Sequence, residues 1–249
     1  MSSPSDTIEF RSKVVRPIEC LQAGYELVRD QYWLLVGISA VGMIIASLVP
    51  LGILMGPMMC GIYLTLFKKR RGQPIEFGDL FKGFDYFAES LIAALLHMIP
   101  IFVILVPTYI IFYISMFAMM AASGGGEPNP GIMLGFFGFW GLIWLVLIVA
   151  MILISVAFTF AYPLIADRKL PGFEAVKLSM KAARANFAGL LGLMLLSGLM
   201  AFVGILFCYV GWFLIMPITF GAIAVAYEKV FGLSEGQGPN LPPPPPSFL

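Results

Sequence analysis

The sequence predicts an all-α, polytopic integral membrane protein: a helix bundle of about six spans arranged as three hairpins, each preceded by an amphipathic interfacial helix. Three observations carry that expectation. Only 12% of the 249 residues are charged and 60% are hydrophobic, against roughly 25% and 45–50% in soluble domains. Apolar runs recur at lengths suited to crossing a hydrocarbon layer. All 15 Lys and Arg fall between those runs, at residues 11–29, 68–82 and 168–184 and at Lys229.

Residues 1–16, with Ser2, Ser3, Pro4 and Ser5, read as a disordered N-terminal arm, and residues 17–232 as a single membrane domain. Pro17 suits a first helical turn. Ile18, Leu21, Tyr25, Val28 and Tyr32 then share one helical face, opposite Glu19, Gln22, Glu26 and Arg29. The apolar run 32–67 would make a single helix of about 54 Å, well beyond a hydrocarbon core of about 30 Å. It therefore reads as a hairpin turning at Pro50 and Gly52 and stopped by Lys68, Lys69, Arg70 and Arg71.

A second amphipathic segment, 75–87, sets Phe77, Leu80, Phe81, Phe84 and Phe87 against Asp79 and Lys82. The runs 88–122 and 131–166 each read as one tilted or kinked helix projecting beyond the bilayer, with Pro100 and Pro107 as kink points. Folding each run back instead gives eight crossings and puts Glu127 inside; that alternative stays open. A third, basic amphipathic segment follows at 167–185, then a last hairpin, 187–208 and 211–227. Residues 233–249 end in a proline-rich tail of polyproline II type, read as an extended disordered spacer.

Charge placement predicts orientation. With six spans, all four basic clusters lie on one side, and the other side carries only Glu127. Cations in short loops mark the cytoplasmic side, so both termini are expected in the cytoplasm. No cleavable signal peptide is read, because the first thirty residues are polar and charged. A net charge of +1 points to no nucleic acid partner. Cys20, Cys60 and Cys208 are scattered and read as small buried hydrophobes rather than disulfides or metal ligands. No cofactor is expected.

The first and last thirds, 17–72 and 171–232, read as a parallel repeat. In constant register Ile18, Glu19, Tyr25, Arg29 and Gly37 fall on Phe173, Glu174, Met180, Arg184 and Gly192. After a short insertion, Pro57, Gly61, Phe67, Lys69 and Gly72 fall on Pro217, Gly221, Tyr227, Lys229 and Gly232. The stretches Tyr162-Pro-Leu-Ile-Ala-Asp167, Glu174-Ala-Val-Lys-Leu-Ser-Met180 and Ala226-Tyr-Glu-Lys-Val-Phe-Gly232, with Asp79-Leu-Phe-Lys-Gly-Phe84 earlier, carry a resemblance. The chain resembles uncharacterised prokaryotic multi-pass membrane proteins of the domain-of-unknown-function type, similar to the membrane domain attached to some glycerophosphodiester phosphodiesterases. The resemblance implies a bacterial or archaeal cytoplasmic (inner) membrane protein and brings no established active site. The catalytic domain of those phosphodiesterases is not in this sequence.

Three groups of candidate residues follow. His97, the single histidine, sits in an apolar run two turns after Glu89, and ionisable groups at membrane depth are functional hypotheses by default. The two share a face but lie about 12 Å apart along the axis. The alternative is a neutral histidine hydrogen-bonded between helices. Lys68, Lys69, Arg70 and Arg71, with Lys177, Lys181 and Arg184, are candidate contacts for anionic lipid, although topology setting explains them equally. Gly52, Gly56 and Cys60 form a small-residue stripe for helix packing, within the chain or with a second copy or another membrane protein.

No hydrolase, metalloprotease or nucleotide-binding signature is present. The expected function is a non-enzymatic membrane component organising lipid or assembling with other membrane proteins. The alternative is a transporter or channel for a small or amphiphilic solute through Glu89 and His97.

Overall fold

The computed structural model describes residues 8–49, 52–124, 126, 129–206 and 210–234, and all regular structure among them is helical. The predicted turn at Pro50, the residues Glu127, Cys208 and Tyr209, and the proline-rich tail from 235 lie outside the described residues.

Helix α1 (Pro17–Val28) starts on Pro17 and passes through a 3₁₀ turn, Arg29–Gln31, into α2 (Tyr32–Leu48). Helix α3 (Met55–Arg70) returns and stops where Gly72 takes φ +70 and its amide reaches the Lys69 carbonyl. The second interfacial element is a 3₁₀ helix, Phe77–Tyr86, opened by a reciprocal cap in which Asp79 accepts the Glu76 amide at 2.9 Å. Helix α4 (Phe87–Ala122) then runs 36 residues unbroken through Pro100 and Pro107.

Asn129 caps α5 (Pro130–Phe158) by accepting the Gly131 amide at 2.8 Å. The run expected to continue to 166 breaks at Thr159 and Phe160, giving a separate α6 (Ala161–Arg168). The cause lies in another segment: the Ser179 hydroxyl takes the Phe160 amide at 3.1 Å and donates to the Ala157 carbonyl at 2.8 Å. Helices α7 (Gly172–Ala185), α8 (Phe187–Leu206) and α9 (Val210–Phe231) follow.

The protein is a polytopic helical membrane bundle. Among the described residues, five stretches are long and apolar enough to cross: Pro17–Leu48, Phe77–Ala122, Pro130–Arg168, Phe187–Leu206 and Val210–Phe231. Helix α3 differs from expectation. Its 16 residues rise about 24 Å, short of a core of about 30 Å. It is enclosed by α2, α4, α6, α9 and the 77–86 segment, so most of it faces protein rather than lipid. By contrast, Val103 on α4 is 66% exposed and Leu134 on α5 is 77% exposed, surface that only a lipid environment accommodates at this density.

Each interfacial element packs against a hairpin that is not its own. The 77–86 segment lies on α3, α7 on α4, α6 and α5, and α1 on α9, which closes the three units into a ring. Small residues permit the contact. A Cβ added at Gly61 of α3 would sit 1.9 Å from the Leu80 carbonyl oxygen, and one at Gly83 would meet the Pro57 carbonyl at 1.9 Å. At the α1–α9 seam a Cβ on Gly24 would lie 2.5 Å from the Ala222 amide nitrogen. Gly61 and Gly221, matched in the sequence register, therefore take part in equivalent contacts.

The arm is not disordered over the part described. Residues 8–16 lie across the ends of α7 and α9: the Arg11 amide donates to the Val230 carbonyl at 2.8 Å, and Phe10 packs on Phe231. Buried Asn186 accepts the Val14 amide at 3.0 Å and donates to the Arg11 carbonyl at 2.9 Å. Composition at 1–16 gives no sign of this, because the anchor lies far along the chain. Asn186→Ala strips two arm groups of their partners at once. Trypsin should then cut after Arg11 and Lys13 at least about tenfold faster, measured on the purified chain.

Candidate functional site

A large apolar groove lies between α5, α8 and α9, with α4 contributing Leu105. Its volume is about 840 Å³, within the range of roughly 300–1,000 Å³ typical of small-molecule sites. Helix α5 lines it with Trp144, Ile148, Met151 and Ser155, spaced so that one helical stripe faces the space. Helix α8 supplies Met194, Ser197 and Phe202, and α9 supplies Thr219 and Ile223. Gly198 keeps the α8 wall open, since a Cβ there would meet nothing within 4 Å. The groove is apolar apart from hydroxyls.

Those hydroxyls divide into two kinds. Thr159 donates to the Ser155 carbonyl at 3.1 Å and Thr219 to the Met216 carbonyl at 2.8 Å, the usual back-bonding of a helix in lipid. Thr65, Ser90, Thr108 and Ser115, elsewhere in α3 and α4, do the same. Ser197 does not: its Oγ is buried without a partner.

Glu89 and His97 are not brought together. Glu89 stands in the first turn of α4, its backbone carbonyl where a Cβ on Gly172 of α7 would come within 2.2 Å. The His97 ring stacks on Phe158 at 4.6 Å and 12°, and its Nε2 is buried without a partner. Neither residue lines the groove.

The basic cluster after α3 differs from the expected lipid-facing patch. Lys68 pairs with Asp79 at 2.9 Å, Lys69 with Asp30 at 2.8 Å and Arg70 with Glu228 at 2.7 Å. Arg71 pairs with Asp167, whose side chain is fully buried. All four cations join α3 to neighbouring elements, because each meets a carboxylate that the fold carries to the same face. On α7 the buried stripe includes Ala175, Leu178, Ser179 and Ala182. Lys177, Lys181 and Arg184 lie off that stripe, and among the described residues Lys177 and Arg184 make no ion pair.

The small-residue stripe is used inside the chain. A Cβ on Gly56 would meet the Ser90 carbonyl at 2.5 Å, Gly52 turns at φ +62 beneath Met98, and the buried Cys60 thiol lies 3.9 Å from the Tyr162 carbonyl. Helices α4 and α6 thus occupy the face that a second copy would need.

Asp167 is the polar centre that sequence reasoning missed. It receives Arg71, the Tyr227 hydroxyl at 2.9 Å, the Ser234 amide at 3.0 Å and the Ser234 hydroxyl at 2.7 Å. Arg168 lies 3.5 Å away and donates to the Phe231 carbonyl. The ends of α3, α6 and α9 meet here. The groove hydroxyls were missed as well: Ser155 and Ser197 look in the sequence like any other span hydroxyl.

No family model matches the chain, and no match is found among curated proteins or solved structures.

Proposed function

We propose that the chain is a non-enzymatic component of a prokaryotic cytoplasmic membrane that organises lipid by holding it in the groove between α5, α8 and α9. Both termini lie on the cytoplasmic side in this reading, and the chain belongs with the multi-pass proteins it resembles. The groove carries the proposal: it is large, apolar and walled by helices whose outer faces are themselves apolar. Lipid is the solvent that such walls meet. The cations Lys177 and Arg184 on α7 suit anionic headgroups at the same membrane's surface.

The test is the lipid retained by the full-length chain in native nanodiscs, counted by mass spectrometry. Gly198→Leu fills open space and should lower the retained lipid per chain while leaving the melting temperature near that of the parent. Equal retention in both proteins would remove the groove from the proposal.

A transport reading has one observation in its favour: His97 Nε2 and the Tyr162 hydroxyl are buried without partners. It requires His97→Ala to abolish uptake of a solute in proteoliposomes.

A further inference from the structure

We infer that the aromatic groove at the junction of α1 and α2 is the docking site for this chain's own proline-rich segment, residues 242–246. The inference stands apart from the lipid-holding reading. Three features combine.

First, the groove has the chemistry that a run of prolines requires. Its volume is about 620 Å³, and Tyr25, Tyr32 and Trp33 line it together with Arg29, Asp30 and Gln31. The Tyr32 and Trp33 rings meet edge to face with centroids 5.7 Å apart. The Tyr32 hydroxyl donates to the Leu214 carbonyl, so that wall is set in advance. Trp33 is 74% exposed and Tyr25 51%, which leaves aromatic surface open to a ligand. Pro242 to Pro246 are five successive prolines, a sequence that favours polyproline II, with rings returning to one face every third residue. Aromatic-lined grooves bind that form. Proline has a carbonyl but no N–H, so the segment needs donors from its site, and Arg29, Gln31 and Trp33 all carry them.

Second, the groove and the root of the tail are tied to one helix end. Lys69 holds Asp30 at 2.8 Å and Gln31 at 3.1 Å. Arg71 donates to the Ser234 carbonyl and to its hydroxyl, each at 3.2 Å. The Cα atoms of Lys69 and Arg71, at the end of α3, lie about 5–6 Å apart. Even with both side chains stretched in opposite directions, Asp30 and Ser234 stay within about 25 Å of each other. Eight Cα steps lead from Ser234 to Pro242, and extended chain covers about 26 Å in that number. The prolines therefore reach the groove while Ser234 stays in place. So short a tether gives them an effective concentration in the millimolar range.

Third, charge favours this occupant over a lipid headgroup. Arg29, Asp30 and Gln31 are exposed. An anionic headgroup drawn to Arg29 would meet the Asp30 carboxylate beside it, a repulsion that an uncharged proline run does not suffer.

The experiment places a photo-crosslinker directly after the prolines, as Ser247→benzoylphenylalanine, in full-length protein in phosphatidylglycerol nanodiscs. Illumination should join position 247 to the stretch 25–34 of the same chain, read by mass spectrometry of the monomer band. Trp33→Ala should lower that yield about fivefold, as expected for the loss of one aromatic contact, and adding Tyr25→Ala should lower it further. Replacing all five prolines together, Pro242→Ser to Pro246→Ser, keeps the tether and removes the rings, and should lower the yield at least as much. Phe173→Ala, at an exposed aromatic on α7, is the control and should match the parent. An unchanged melting temperature in each variant separates lost docking from lost folding. Crosslinks to 25–34 that survive both Trp33→Ala and the five serines reflect mere proximity and overturn the inference. Crosslinks confined to lipid, to another stretch of the chain or to a second copy overturn it as well.

Discussion

Gly61→Ala should cost the bundle about 1–3 kcal/mol or more, as expected when a closed seam is overpacked. The added methyl would fall 1.9 Å from a backbone carbonyl oxygen, that of Leu80, and 2.8 Å from its carbon. Backbone cannot rotate away as a side chain can, so the whole 77–86 segment must lift from α3. That segment also carries Asp79, the partner of Lys68 and Lys82, and the ion pairs would open with the seam. The measurement is the loss of helical signal against denaturant or temperature in detergent. Gly198→Ala, in open space, provides the comparison and should shift the midpoint little. Equal midpoints for the two variants would show that the seam does not hold the fold.

Asp167→Asn should be comparably damaging, at about 3 kcal/mol, because it leaves guanidinium groups without their buried anion. The Asp167 side chain is 0% exposed, and Arg71 and Arg168 retain 24% and 26% exposure. The loss should therefore fall at the low end of the range for breaking a buried pair. Combining Asp167→Asn with Arg71→Met should recover part of it, since the second change removes the stranded charge. The Arg70–Glu228 pair is a useful contrast. Its members are 43% and 30% exposed, and Glu228→Gln should move stability by less than about 1 kcal/mol. If Asp167→Asn proved as mild as Glu228→Gln, the central polar node would have no structural weight.

The apolar runs, their hairpin pairing and the three interfacial segments were legible because hydrocarbon length and helical periodicity are local properties. The continuous α4 was legible for the same reason: neither Pro100 nor Pro107 stands beside a polar turn. What was not legible depends on partners distant in the chain. The break between α5 and α6 comes from Ser179 capturing Phe160 and Ala157, which no pattern around residue 159 signals. The basic run 68–71 shows its charge in the sequence but not its counter-charges, which come from Asp79, Asp30, Glu228 and Asp167. The order of residues 8–16 depends on Asn186, itself unremarkable in composition. The groove hydroxyls were hidden by chemistry, since serine in a span usually bonds its own helix. Only the packed structure distinguishes Ser197 from Ser115.

The closure of α1 on α9 has a consequence for biosynthesis. During translation α1 leaves the ribosome well before Gly221, which receives Gly24. Cys20, Gly24 and Val28 therefore wait without their mate while two hairpins insert ahead of it. Over that interval the nascent chain is an open arc, and the final hairpin's arrival turns it into a circle.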